Sequence, residues 1–329
     1  MTDRWTWHGG GLAAARAHFG DGDAPWLDLS TGINPHGWPG CEAAAMAVDW
    51  NRLPDERGLR DMEAAAAAYF GAQPDHVCAL PGTEIGLRLI GDLLPGPARY
   101  LAPSYRSHGE IGAGAMPVGR DALGDADGAT LILANPNNPD GWMMDRETLL
   151  RLLDRRGPEG WLIVDEAFAD TTPRASLAAD VGEDRRLVLF RSFGKFFGLA
   201  GVRLGFLIGP RPVIAAMRRK LGAWPVSAAA IAIGAAACRD QPWIGAMRRR
   251  LHAEAERLDA ALLRSGHRPI GACPLFRLIE TDDAMALFER LARRSILTRP
   301  FDYQPRWLRL GLPGDAEALE RLETALRHG

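Results

Sequence analysis

The sequence has 329 residues, and its 39 lysines and arginines nearly balance its 41 aspartates and glutamates. The net charge of -2 gives no electrostatic reason to expect a nucleic acid or an anionic membrane as a partner. A hydrophobic content of 47% excludes a disordered chain, and no apolar run approaches the roughly 20 residues of a membrane helix. The length predicts one large and one small domain.

Residues 1–11 lack the basic and apolar order of a signal peptide. The four cysteines, Cys41, Cys78, Cys238 and Cys273, lie far apart without metal or disulfide spacing. We therefore expect free thiols, no metal site and a cytoplasmic protein.

Residues 1–40 are rich in glycine, proline and tryptophan, and they predict an irregular N-terminal arm. Two pieces stand out, His8-Gly9-Gly10 and Ser30-Thr31-Gly32-Ile33-Asn34-Pro35. They are consistent with ordinary turns, which Gly and Asn-Pro favour. They are equally consistent with an arm that covers a site, because glycine lets backbone approach a ligand closely.

Residues 41–225 predict a large domain in which helices and strands alternate after helical periodicity in 41–70. The predicted strands are Val77–Leu80, Arg99–Ala102, Thr130–Ala134, Trp161–Val164 and Leu187–Phe190. The helices between them act as crossovers, so the sheet should be largely parallel.

Unusual polar clusters follow the predicted strands, at the edge where α/β sheets bind ligands. The clusters are Pro103–His108, Asn135–Gly141, Asp165–Phe168 and the pair Ser192 and Lys195. The turn Gly82-Thr83 opens a helix after the first strand. It is either a phosphate cradle of free backbone N–H groups or an ordinary N-cap.

Residues 226–329 predict a smaller α+β domain, because the alternation stops beyond residue 210. Its predicted strands are Phe276–Glu280, Ser295–Thr298 and Trp307–Leu312. Helices are predicted between and after them, and a long helix is predicted over 243–265.

Lys195 stands among Ser, Gly and Phe, directly after an apolar run. An amine near aromatic rings suits a Schiff-base lysine, because a desolvating pocket helps it to lose its proton. Ser192 and Arg203 flank it and could both hold a phosphate. Taken alone, the same stretch favours a buried lysine paired with an acid.

The order and spacing of three motifs resemble the pyridoxal-phosphate enzymes of the aspartate aminotransferase fold (fold type I). Asn138 precedes Asp165 by 27 positions, Asp165 precedes Lys195 by 30, and Arg203 follows Lys195 by eight. The resemblance implies an α/β fold with a large, mostly parallel sheet domain and a smaller α+β domain. It also implies pyridoxal 5'-phosphate as cofactor and a homodimer.

The resemblance further implies roles for single residues. Lys195 would carry the cofactor as a Schiff base, Asp165 would pair with its ring nitrogen, and Asn138 would bind its phenolic oxygen. Tyr105 would stack on the ring and His108 would orient Asp165. The cofactor phosphate would be held by Gly82, Thr83, Ser192 and Arg203.

Two positions depart from the family pattern. Phe168 stands where many relatives have a tyrosine that donates to the phenolic oxygen, and its presence should raise the pKa of the Schiff base. Leu53 stands where many have a tyrosine that reaches the partner subunit's cofactor phosphate, a contact that leucine cannot make.

The N-terminal arm and the stretch Arg52-Leu53-Pro54-Asp55 resemble the threonine-phosphate decarboxylases of cobalamin biosynthesis. This resemblance implies conversion of L-threonine O-3-phosphate, a small phosphorylated amino acid, to (R)-1-amino-2-propanol O-2-phosphate. The alternative is an aminotransferase of the histidinol-phosphate type. The implied substrate-binding residues are His8, Asn34 and Arg299 for the phosphate, Arg309 for the carboxylate, and Asn138.

Overall fold

The computed structural model describes residues 3–22, 24–94, 96–112, 114–125 and 128–327. These residues form two compact units. The larger unit contains residues 37–138 and 143–246, and the smaller contains residues 1–36, 139–142 and 247–329. The domain boundaries predicted at residues 40 and 225 stay predictions.

The strands are β1 Leu27–Asp28, β2 Val77–Leu80, β3 Ala98–Leu101, β4 Met116–Val118, β5 Thr130–Ala134, β6 Leu162–Asp165, β7 Leu187–Ser192, β8 Gly205–Ile208, β9 Pro269–Ile270, β10 Phe276–Glu280, β11 Ile296–Leu297, β12 Arg299–Pro300 and β13 Trp307–Gly311. The α-helices are α1 Asp3–Thr6, α2 Leu12–Phe19, α3 Cys41–Met46, α4 Glu56–Phe70, α5 Thr83–Leu93, α6 Arg146–Asp154, α7 Phe193–Phe196, α8 Arg211–Leu221, α9 Ala228–Arg239, α10 Gln241–Arg264, α11 Ala284–Ala292 and α12 Ala316–Arg327.

Within its described residues, the larger unit is built on a seven-stranded sheet of order β2-β8-β7-β6-β5-β3-β4. All neighbours pair in parallel except β8, which runs antiparallel to β2 and β7. The prediction of a largely parallel sheet is confirmed. The carboxyl ends of β5, β6 and β7 therefore lie side by side at one edge.

Strands β2, β5, β6, β7 and β8 are buried on both faces and are almost continuously apolar, whereas β4 at the sheet edge is largely exposed. On β8, Leu207 belongs to a core cluster that also contains Leu87 of α5 and Ile214 of α8. Its neighbour Phe206 lies on the opposite face, 5.4 Å from the ring of Phe70 on α4. Helices thus cover the sheet on both sides and leave the strand ends to carry polar groups.

In the smaller unit, β12, β13, β10 and β9 form an antiparallel sheet, and β1 pairs in parallel with β11. The prediction of an entirely irregular arm over 1–40 is wrong, because α1, α2 and β1 are regular. The arm is anchored by aromatic contacts, with Trp5 and Phe19 lying 5.6 and 6.0 Å from Phe288 of α11.

The strands predicted at Val77–Leu80, Thr130–Ala134 and Phe276–Glu280 are confirmed to the residue. The strand predicted over 295–298 is shorter, β11 at Ile296–Leu297, and a separate strand, β12, follows at Arg299–Pro300. Among the described residues no helix combines the length and apolarity needed to cross a membrane. All four cysteines carry free thiols.

Candidate active site

The strand register places the predicted site residues at one level of the larger sheet. Asp165, the last residue of β6, lies between Ala134 of β5 and Phe190 of β7. Ser192 ends β7, and Lys195 follows in the short helix α7. Lys195, Asp165 and Ser192 therefore leave neighbouring strands at the same edge.

Asp165 is held by the protein on both carboxylate oxygens. Nε2 of His108 lies 3.2 Å from its Oδ2, and the amide of Ala167 donates to its Oδ1 at 3.0 Å. On the far side of the ring, Nδ1 of His108 lies 2.7 Å from Oγ of Ser104. The fixed, buried carboxylate is suited to pairing with a cation, as predicted from the resemblance.

The segment after β5 is closed by Asn135, whose amide group both donates to the carbonyl of Met144 at 3.0 Å and accepts from its N–H at 2.8 Å. Asn137 donates to the carbonyl of Pro103 at 3.0 Å. Asn138, the predicted ligand of the phenolic oxygen, follows and is buried. This backbone is therefore fixed before any ligand binds.

The predicted phosphate cradle is the start of α5. Gly82 has φ +89°, and no side chain among the described residues caps the helix that begins at Thr83. A Cβ on Gly82 would lie 2.5 Å from Nη2 of Arg203, and a Cβ on Gly205 would lie 2.8 Å from the Thr83 nitrogen. A helix N-terminus beside a guanidinium has the chemistry that an anion requires, in agreement with the prediction. The positive φ at Gly82 and the backbone contact at Gly205 favour glycine at both positions.

Lys195 is half-buried, and its Nζ lies 5.7 Å from the ring centroid of Phe168. Phe168 is 5% exposed, so it presents a hydrocarbon face to the amine. The departure from the family tyrosine therefore removes a hydroxyl close to the lysine.

Tyr105 has a partner that the sequence does not predict. Its hydroxyl donates to Oε2 of Glu84 at 3.0 Å, and the hydroxyl of Ser107 donates to the same carboxylate at 3.0 Å. Burial, and then the charge of Glu84, raise the pKa of Tyr105 to about 12. Glu84 stands in the first turn of α5 and thus joins Tyr105 to the phosphate cradle.

The smaller unit contains two buried arginines as direct partners across neighbouring strands, Arg299 on β12 and Arg309 on β13. Arg309 donates to the carbonyl of Ser30 at 2.8 Å, and Arg299 donates to that of Trp7 at 3.2 Å. Burial, and then the charge of Arg299, lower the pKa of Arg309 to about 9. Like charges held this close favour a bound anion.

The arm residues of this unit are also fixed. The amide of Gly10 donates to Oγ of Ser30 at 2.8 Å, and a Cβ on Gly9 would lie 2.2 Å from the Ser30 carbonyl oxygen. His8 therefore sits directly before a close backbone approach. Asn34 is buried, and its Oδ1 accepts from the amide of His36 at 2.9 Å.

The predicted cofactor residues thus all lie in the larger unit. Of the predicted substrate residues, Asn138 lies in the larger unit and the others, His8, Asn34, Arg299 and Arg309, lie in the smaller one. Leu53, the second departure from the family, is 66% exposed. Sequence reasoning missed Glu84 and the buried Arg191, which contacts both Glu166 and Asp170. Their one signal is a charged residue directly beside a predicted site residue.

The donor set fits pyridoxal phosphate, the cofactor that the sequence implies. The larger unit supplies an amine (Lys195), a carboxylate with both oxygens fixed (Asp165), and a cradle at Gly82 whose shape excludes a side chain. These groups match an aldehyde, a ring cation and a phosphate in chemistry. No metal-binding group of three or more His, Cys, Asp or Glu occurs among the described residues.

A family model for aminotransferases of class I and II matches residues 120–326. With the fold and the site chemistry above, this shows that the chain belongs to the class I and II aminotransferase family, and the predicted fold class is confirmed.

Individual proteins that resemble this chain include two enzymes of known name and one solved structure. A threonine-phosphate decarboxylase of a Sinorhizobium species is 41% identical over 97% of this chain and 97% of its own. A histidinol-phosphate aminotransferase of Gluconobacter oxydans is 31% identical over 92% of each chain. The fold matches a crystal structure of histidinol-phosphate aminotransferase from Sinorhizobium meliloti in complex with pyridoxal-5'-phosphate. That match has a TM-score of 0.85 and 21% identity, and it covers 97% of this chain and 94% of that one.

Proposed function

We propose that this protein is a pyridoxal-phosphate-dependent decarboxylase that converts L-threonine O-3-phosphate to (R)-1-amino-2-propanol O-2-phosphate in cobalamin biosynthesis. The observation that carries the proposal is the 41% identity to a threonine-phosphate decarboxylase over 97% of both chains. The histidinol-phosphate aminotransferase is ten percentage points less similar, at 31% against 41%.

When bound, pyridoxal phosphate supplies an electron sink for the pair left behind by the broken bond at Cα. Asp165, fixed by His108, would hold positive charge at the ring nitrogen and so keep the sink effective. Lys195 would hold the cofactor and later deliver a proton to Cα. Gly82 and Arg203 would bind the cofactor phosphate.

Specificity depends on which bond to Cα stands perpendicular to the ring, because only that bond overlaps the π system. A decarboxylase must hold the carboxylate there, whereas an aminotransferase holds the hydrogen there. We propose that His8, Asn34 and Arg299 fix the substrate phosphate and that Arg309 binds the carboxylate. Two anchored ends set the rotation about the Cα–N bond of the substrate. The paired arginines are consistent with a substrate that carries two anionic groups.

The test is purified protein supplied with pyridoxal phosphate and L-threonine O-3-phosphate, with no oxo acid present. We expect stoichiometric CO2 and the amino alcohol phosphate, and a Lys195→Ala protein should give neither. A parallel reaction contains histidinol phosphate and 2-oxoglutarate. Glutamate formation there, without CO2 from threonine phosphate, would overturn the proposal in favour of an aminotransferase.

We also infer a homodimer in the cytoplasm. The family resemblance supports the dimer, and the four free thiols suit a reducing compartment. Light scattering of the purified protein gives the mass directly, and one chain mass of 35.7 kDa would contradict the dimer.

A further inference from the structure

A buried ion cluster lies behind the strand ends of the larger unit. Arg191, the fifth residue of β7, donates from Nη1 to Oε2 of Glu166 at 3.0 Å and to Oγ of Ser176 at 3.1 Å, and from Nη2 to Asp170. Ser176 in turn donates to the same oxygen of Glu166 at 2.6 Å. We call these four residues the Arg191 cluster.

The Arg191 cluster holds two carboxylates and one guanidinium away from water. Arg191, Glu166 and Asp170 are 2%, 0% and 1% exposed. Burial raises the pKa of Glu166, against the opposing charge of Arg191. Burial alone would lower the pKa of Arg191, but the charges of Asp170 and Glu166 outweigh it and raise that pKa.

Such a cluster is a costly way to stabilise a fold. Desolvation of buried ions offsets much of their attraction, and an apolar replacement of equal volume is often as stable. The geometry, in contrast, is tightly determined. Glu166 also accepts from the amide of Leu177 at 2.8 Å, and the guanidinium of Arg191 lies 4.5 Å from the ring centroid of Phe70. The orientation of Arg191 is therefore fixed from several sides.

The members of the cluster are sequence neighbours of the candidate site residues. Glu166 follows Asp165 directly, and Asp170 comes two positions after Phe168. Arg191 directly precedes Ser192 and lies four positions before Lys195. The contacts of Arg191 thus join the segment that carries the carboxylate to the segment that carries the amine.

We propose that the Arg191 cluster is a positioning device that holds the amine of Lys195 in register with the carboxylate of Asp165, so that both engage one cofactor ring. The proposal rests on the proposed function, because it presumes that Lys195 binds pyridoxal phosphate. Arg191, Glu166 and Asp170 are positioning residues and act through their neighbours. A cluster that served only stability would leave the chemistry of Lys195 unchanged.

The test variant is Asp170→Asn, which keeps the side-chain shape and the Arg191–Glu166 pair but removes one charge. We expect the dissociation constant for pyridoxal phosphate to rise and its reductive trapping on Lys195 to slow, each by about 10-fold or more, because small misplacements of reacting groups are costly. The pH midpoint of the visible absorbance band of the loaded protein should also shift.

Asp259→Asn is the matched control. Asp259 binds Arg277 of the smaller unit, an arginine that is 6% exposed, with Nη2 to Oδ2 at 3.0 Å. This control removes a carboxylate partner from a buried arginine far along the chain from Lys195, although the Asp259 side chain is 31% exposed and that of Asp170 only 2%. It should lower the thermal midpoint of the apoprotein by less than Asp170→Asn does, with parental cofactor affinity, trapping rate and absorbance midpoint.

The outcomes separate the two proposals. If the parent does not trap the cofactor on Lys195, the proposed function falls and this inference falls with it. If the parent traps the cofactor and Asp170→Asn matches it in cofactor affinity, trapping rate and absorbance midpoint, the inference alone is overturned.

Should Asp170→Asn fail to fold, Ser176→Ala removes the hydroxyl between Arg191 and Glu166 and leaves every charge in place. A smaller shift of the absorbance midpoint in that variant supports the proposal, and an unchanged midpoint overturns it.

Discussion

His108 Nε2 lies 3.2 Å from Oδ2 of Asp165, and the two side chains are 0% and 8% exposed. Because Ala167 occupies the other carboxylate oxygen, the orientation of Asp165 is set before any cofactor binds. A histidine whose Nδ1 lies 2.7 Å from Ser104 cannot turn without losing two contacts. The pair therefore presents a preorganised carboxylate to a cation.

Replacing His108 with alanine should lower kcat and leave KM nearly unchanged. The substitution removes a partner from a buried carboxylate, at a cost of about 1.5–3 kcal/mol or about 10- to 100-fold. Steady-state CO2 release from threonine phosphate measures both constants. His108→Gln, which keeps a donor, should recover part of kcat. Parental kcat in His108→Ala would show that Asp165 needs no such support.

Lys195→Ala should abolish borohydride trapping of pyridoxal phosphate. Lys195 and Lys220 are the two lysines of the sequence, so the chain provides its own control. Lys220 is bound by Asp92 at 2.7 Å on the larger unit, and Lys220→Ala should trap cofactor at the parental rate. Peptide mapping after reduction should find one modified lysine. Modification at residue 220, or trapping in Lys195→Ala, would refute the assignment of the amine.

Those strands of the larger sheet that are buried on both faces could be predicted, because they are short, continuous apolar runs. Val77–Leu80 and Thr130–Ala134 are such runs. The exposed edge strand β4 has no such run and was not predicted. Helix α2 was not predictable in the same way. It begins after Gly11 without a side-chain cap and ends at Gly20, so its borders resemble those of a loop.

The candidate site also contains residues that the sequence predicts and residues that it does not. The residues predicted to act on a ligand at strand ends, such as Lys195 and Asp165, form a recognisable order along the chain. The residues that support them do not, because their contacts join distant positions. Glu84 meets Tyr105 across 21 positions and Arg191 meets Glu166 across 25, and no local pattern encodes such pairs.

Glu84→Gln should lower the pKa of Tyr105 from about 12 towards its ordinary value, because the charge of Glu84 is one of the causes that raise it. Difference spectra of tyrosinate, with Tyr105→Phe subtracted, follow this titration.

The raised pKa of Tyr105 in the folded protein also affects stability. Its contribution is complete below the unfolded pKa of about 10 and is lost as pH rises through about 12. In thermal unfolding, the stability of the parent relative to Tyr105→Phe should therefore fall as pH rises through that window.

Glu110→Gln is the control for this titration. Glu110 binds Arg88 at 2.6 Å, and Arg88 is shared with Glu84 at 2.9 Å. The Glu110→Gln substitution therefore perturbs the same charge network without removing the Glu84 carboxylate, which accepts from Tyr105. An equal shift of the tyrosine titration in both variants would assign the effect to the network as a whole.

Arg299→Gln should weaken binding of a phosphate-bearing ligand to the smaller unit by roughly 10- to 100-fold, the typical loss of a hydrogen bond to a charged group. Burial and the charge of Arg299 hold the pKa of Arg309 at about 9, so its cationic form is costly without an anion nearby. Inorganic phosphate should therefore raise the thermal midpoint of the parent, by mass action on the folded state. The measurement uses protein already loaded with pyridoxal phosphate, so that the cradle at Gly82 does not contribute.

Arg264→Gln, which breaks a surface pair with Glu323, should respond to phosphate as the parent does. Equal phosphate responses in all three proteins would show that the substrate phosphate binds elsewhere. They would also contradict the proposal that Arg299 and Arg309 together orient the bonds at Cα of the substrate.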